Sequence, residues 1–168
     1  MKQNESQNAS DPEALLRAEG GRLNASLLRR FACECCRRVS HLCGDPIYLR
    51  LLEFAESRVS GSASHDQLTT LRSDATRLYD RLYPGYGSPS ATVLALSAVG
   101  EAAFTESPLN AAINASTTAA MAAASAAAVA ADDEKYDAVH DATYLTERQA
   151  QSELLRQLNS THDGSEGG

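Results

Sequence analysis

Ser107-Pro-Leu-Asn-Ala-Ala-Ile-Asn-Ala-Ser-Thr-Thr-Ala-Ala-Met-Ala-Ala-Ala-Ser-Ala-Ala-Ala-Val-Ala-Ala131 is the stretch whose reading decides the fold. No charge occurs between Glu106 and Asp132, a span long enough for a bilayer. Its content argues otherwise. Of the 21 residues from Ala111 to Ala131, 13 are Ala, and most of the rest are Ser, Thr or Asn. Alanine gains little from lipid, and Asn110 and Asn114 oppose insertion. Ala is also the best helix former. The stretch therefore reads as a soluble helix buried by close packing, which carries Leu109, Ile113, Ala120, Met121, Ala124 and Ala128.

Outward from it, prolines mark helix starts. Asp11-Pro12, Asp45-Pro46, Ser88-Pro89 and Ser107-Pro108 each place a capping side chain before a proline that loses no hydrogen bond at the first helical position. Ser64 with Gln67 three residues on has capping-box spacing. The stripe that follows it, Leu68, Leu71, Ala75, Leu78, Tyr79 and Leu82, has a helical period. The other predicted helices run from Pro12 to Gly20-Gly21, about Ala25 to Leu42, Pro46 to about Ser60, about Pro89 to Phe104, from Pro108, and about Asp133 to Asn159. The last carries Tyr136, Val139, Thr143, Ala150, Leu154 and Leu158, and it can be continuous with its predecessor because Asp132-Asp133-Glu134 contains no breaker. No window alternates as a strand would, and the connections are short. The prediction is an all-α, single-domain antiparallel bundle of about six to seven helices over residues 11–159, with tails at 1–10 and 160–168 read as disordered.

Composition agrees with one domain. The 168 residues are 43% hydrophobic and 22% charged, with no Trp, so packing relies on alanine rather than aromatic anchors. The formal charge of -7 argues against nucleic-acid binding. The opening residues MKQNESQNAS hold no apolar run, which reads as a cytoplasmic protein without a secretory signal. Four cysteines between Cys33 and Cys43 are too few for a disulfide framework and read as reduced thiols.

Those cysteines lie in Leu27-Leu-Arg-Arg-Phe-Ala-Cys-Glu-Cys-Cys-Arg-Arg-Val-Ser-His-Leu-Cys43. A metal site using Cys33, Cys36 and His41 is the weak alternative. At about 100° per residue one helix cannot converge them on an ion, and no second CxxC or HxxxH follows. Leu28, Phe31, Ala32, Cys35, Val39 and Leu42 instead form one apolar stripe. Cys33 falls opposite it, with Arg29 and Arg30 before it and Arg37 after it, and is the reactive-thiol candidate, since guanidinium groups favour a thiolate. Arg29, Arg30, Arg37 and Arg38 make a basic patch. Residues 22–41 sum to +4 and residues 132–168 to -6, so the basic helix is expected to face an acidic partner, with the chain's own last helix as one option.

Arg29-Arg30-Phe31-Ala-Cys-Glu-Cys-Cys-Arg-Arg38, with Asp45 after it, resembles a stretch of the form R-x-F-A-C-x-C-C-R-R in a family of uncharacterised bacterial proteins frequent in planctomycetes. The resemblance continues through Leu52-Glu53-Phe54-Ala55-Glu56, Gly61, an alanine-rich middle, Glu147-Arg148-Gln-Ala150 and Leu154-Leu155-Arg156. Ser40 stands where that family often has an aromatic, and an N-P-F-like tail is missing. The resemblance implies a helical bacterial domain and supplies no catalytic residues.

Other constellations are incomplete. Asp137-x-x-His140 has di-iron spacing, but Arg38 and Ser62 stand three residues before His41 and His65, so no second pair exists. Gly85-Tyr-Gly87 follows a helix and lacks the third glycine of a dinucleotide loop. With no catalytic residues identified and no cofactor implied, the sequence reads as a non-enzymatic interaction or scaffold module that binds a protein partner or itself, not a membrane. The competing class is a thiol-based redox or metal sensor using Cys33 and Cys36.

Overall fold

The computed structural model describes residues 11–19 and 21–163. Among them the chain forms seven α-helices: α1 (Pro12–Glu19), α2 (Ala25–Arg38), α3 (Pro46–Val59), α4 (His65–Leu82), α5 (Ala91–Phe104), α6 (Pro108–Val129) and α7 (Tyr136–Asp163). Two 3-10 turns, Ser40–Leu42 and Asp133–Lys135, complete them, and no described residue is in a strand. The fold is the expected all-α bundle.

Side-chain caps open most helices. Asn24, Asp45, Ser64 and Ser107 accept the amide protons of Leu27, Ile47, Gln67 and Asn110 at 2.8, 3.0, 3.3 and 3.3 Å. One start differs from the sequence reading. Ser90, not Ser88, caps α5, accepting from the Val93 amide at 3.3 Å. Both serines flank Pro89; the second leaves the proline outside and starts the helix where Val93 and Leu94 enter the core. Thr92 Oγ1 fixes this start by donating to the Leu42 carbonyl at 2.9 Å. Ser90→Ala is expected to cost about 1 kcal/mol and Ser88→Ala less than about 0.5 kcal/mol in urea unfolding.

Three further boundaries move. The cysteine helix ends at Arg38 and tightens into the 3-10 turn, where Ser40 Oγ binds the Arg37 carbonyl at 2.9 Å. α6 and α7 are separate although no Gly or Pro divides them, because folding back lets α7 pack along α6. α7 continues to Asp163, so residues 160–163 are helical rather than tail; Ser160 and Thr161 hydroxyls bond to the carbonyls of Gln157 and Leu158. Residues 1–10 and 164–168 lie outside the described residues.

α5 and α6 form the centre. Ala95, Ala98, Ala102 and Ala103 of α5 and Ala112, Ala115, Ala119 and Ala122 of α6 all belong to the buried core. α6 touches α1, α2, α5 and α7, while α3 packs on α2 and α5 and α4 lies outermost on α3 and α5. Small side chains let several helices approach one axis closely. α6 has the length and apolarity to cross a membrane by composition alone, yet half of its most apolar window is buried within the protein.

Candidate functional site

The reactive-thiol candidate is Cys33 on α2, with Arg29, Arg30 and Arg37 near it in sequence. α3 covers it. Ser26 Oγ donates to the Val59 carbonyl at 3.0 Å and Arg37 Nη2 bonds Glu56 Oε1 at 2.6 Å. Cys33 is consequently only 2% exposed. Burial, aided by Glu56, pushes its thiol up to about 12, which outweighs the opposite pull of Arg37 and Arg29. The expectation of a water-accessible Cys33 thiolate is corrected: α3 buries the thiol, and desolvation, helped by the Glu56 carboxylate that pairs with Arg37, outweighs the arginines. Cys35 and Cys36 are fully buried and their thiols are raised by the same desolvation. Cys43 is buried too. Tyr48, also fully buried, donates to the Cys36 carbonyl at 2.7 Å.

Cys33, Cys36 and His41 do not come together. His41 is exposed while both thiols are buried, and no group of three His, Cys, Asp or Glu side chains suited to an ion occurs among the described residues.

The basic patch is also largely consumed within the chain. Arg29 donates to the carbonyls of Thr105 and Glu106 at 3.4 and 2.6 Å, beside Arg58, which bonds the Ala103 carbonyl at 2.8 Å and the Glu106 carboxylate at 3.0 Å. Burial and then the neighbouring Arg58 lower the Arg29 guanidinium from its ordinary value. Together the two arginines satisfy carbonyls left open at the end of α5. Arg37 pairs with Glu34 and Glu56. Arg38 grips Glu147 of α7 with two bonds, 2.6 and 2.9 Å, and that hydrogen bonding raises its pKa. The basic helix thus meets the chain's own last helix at this pair. Arg30 alone of the four is exposed without a partner among the described residues.

Sequence reasoning missed a buried polar cluster. Arg148, Gln151, Ser152 and Ser116 are at most 5% exposed. Arg148 reaches Asp11 at 2.6 Å, Gln151 Oε1 at 3.2 Å and Ser116 Oγ at 3.3 Å, and Gln151 Nε2 donates to the Ser116 carbonyl at 2.9 Å. The signal was a gap: the apolar stripe assigned to α7 skips from Thr143 to Ala150, and Arg148, Gln151 and Ser152 occupy the interval and the turn after it.

Seven large apolar side chains are exposed among the described residues: Leu49, Leu82 and Tyr86 outside the α6–α7 hairpin, and Met121, Val129, Tyr136 and Leu145 on it. Val129 and Leu145 are 75% and 61% exposed, and Met121 and Tyr136 are each 39% exposed. All four lie on the distal half of the α6–α7 hairpin. Asp132, Asp133, Glu134, Asp137 and Asp141 surround its turn. A separate open cleft of ≈450 Å³ lies between α3 and α4, floored by Phe54 and Leu71 and rimmed by Arg50, Glu53 and Asp66. Arg50 is held there by Asp74 at 3.3 Å.

The chain matches no protein-family model, no curated protein and no solved structure. The class that the fold defines is an alanine-packed helical bundle.

Proposed function

We propose that the protein is a non-enzymatic helical interaction or scaffold module that uses the distal α6–α7 hairpin to contact another protein or a second copy of itself. The observation that carries this reading is that four exposed large apolar side chains, Met121, Val129, Tyr136 and Leu145, fall on the distal part of the α6–α7 hairpin. Apolar groups left in water beside a polar rim favour association. The acidic turn repels nucleic acid and favours a protein surface with basic groups. Buried thiols with raised pKa values give the sensor alternative no comparable support.

Val129→Glu combined with Leu145→Glu tests it. Both side chains are solvated, so helicity and Tm should barely change. Sedimentation of the purified protein, and cross-linking in the native host mapped to peptides, should show association through this face in the wild type and its loss in the double variant. A wild type that stays monomeric and yields no cross-links from the hairpin would overturn the reading.

A further inference from the structure

The cluster around Arg148 has a recognisable occupant. α1 packs on α6 and α7 and buries only Pro12 and Leu16. At its start, one oxygen of Asp11 accepts both from the Glu13 amide at 3.2 Å and from Arg148 Nη2 at 2.6 Å. Arg148 is 94% buried at the side chain, whereas Asp11 is 45% exposed. The guanidinium is thus built into the α6–α7 groove, with Ser116 and Gln151 orienting its other nitrogen. The anion that answers it arrives on a short helix at the edge. Glu147, the nearby acid on α7, is already committed to Arg38.

The attachment of α1 is slight. Buried Pro12 and Leu16, half-buried Leu15 against the core and one ion pair must offset the ordering of an eight-residue helix. An open gap of ≈320 Å³ remains along it, lined by Leu15, Glu19 and Leu155. Gly20-Gly21 joins it to the rest of the chain.

We propose that the groove around Arg148 is a binding site for a helical segment that opens with a carboxylate and buries a leucine one turn further on, and that α1 is its exchangeable occupant. The occupant in trans is α1 of a second copy. Arg148 takes the segment's capping carboxylate and Leu16 supplies the apolar anchor. This site is distinct from the distal hairpin, so either assignment can fail without the other.

The probe is a fluorescent peptide spanning residues 8–21. It should bind the full-length Leu16→Glu variant, whose own α1 is disabled, at least about 100-fold more tightly than wild type, where the tethered helix competes. A peptide carrying Asp11→Asn should bind that variant at least about 10-fold more weakly. Equal binding of the two peptides, or no preference for the variant, overturns the site. Where Leu16→Glu does not fold, amide exchange on the wild type decides. α1 amides should exchange at least about 10-fold faster than those of α6 and the middle of α7. Equal protection of α1 and those helices overturns the proposal.

Discussion

Raising the pH from 9 to 11 is expected to lower the protein's stability progressively. A thiol held neutral in the fold but free to ionise when unfolded couples folding to protons. Cys33 has an ordinary thiol value of 9.0 and a folded value of about 12. Below pH 9 both states keep the proton and the linkage contributes nothing. Between 9 and 12 the unfolded chain binds fewer protons than the folded one, so stability falls as pH rises. The slope is about 1.4 kcal/mol per pH unit for each such thiol. Cys35 and Cys36 are raised by the same burial, so three thiols act together. By pH 11 Cys33 alone costs about 3 kcal/mol, a large share of a domain's stability, and Cys35 and Cys36 push in the same direction. Tyr48, whose hydroxyl is raised by burial as well, adds to the loss above its ordinary value of 10.0. Urea midpoints by circular dichroism at successive pH values, under reducing conditions, measure the slope. Cys35→Ala should lower stability at pH 7 but flatten the alkaline slope by about one proton. An unchanged midpoint up to pH 11 would mean that the thiols reach water.

Which parts of this were legible in the sequence follows from how far each signal reaches. The α4 stripe was readable because its period is local, and Leu71 and Leu78 are buried as expected. Phe31, Cys35 and Val39 were readable for the same reason. Cys33 was not. Its helical phase was placed correctly opposite that stripe, but the cover comes from α3, and phase within one helix says nothing about a neighbour on the far side. The charge asymmetry between 22–41 and 132–168 pointed at α7 as a partner for α2, yet it could not single out Arg38 and Glu147. Arg148 and Gln151 left only the gap in the α7 stripe as a trace, because residue type reports the cost of burying a polar group alone, not the cost after Asp11 and Ser116 have answered it. Ser88 and Ser90 show the limit for caps: two residues with the same chemistry, separated only by which start lets α5 enter the core.

Whether the alanines of α6 are structural or merely compositional is decided by enlarging one of them. Ala119 is fully buried, in the same core as Ala98 and Ala102 of α5. α2 and α5 both pack on α6, so the helix cannot move from one without pressing on the other. Ala119→Leu inserts three carbons where small side chains set the spacing, and is expected to cost about 3 kcal/mol, the upper part of the range for overpacking. For a chain of this size that lowers Tm by about 6–12 °C. Met121, on the same helix but 39% exposed, provides the control. Met121→Leu has no core to disturb and should change stability by less than about 0.5 kcal/mol. The contrast isolates packing from helix propensity, because leucine forms helix nearly as well as methionine and alanine. Thermal melts of the two variants beside the wild type give the answer. A wild-type Tm for Ala119→Leu would mean that α5 and α6 are not held at close range, and the alanine-rich stretch would then owe its composition to something other than the packing of the bundle.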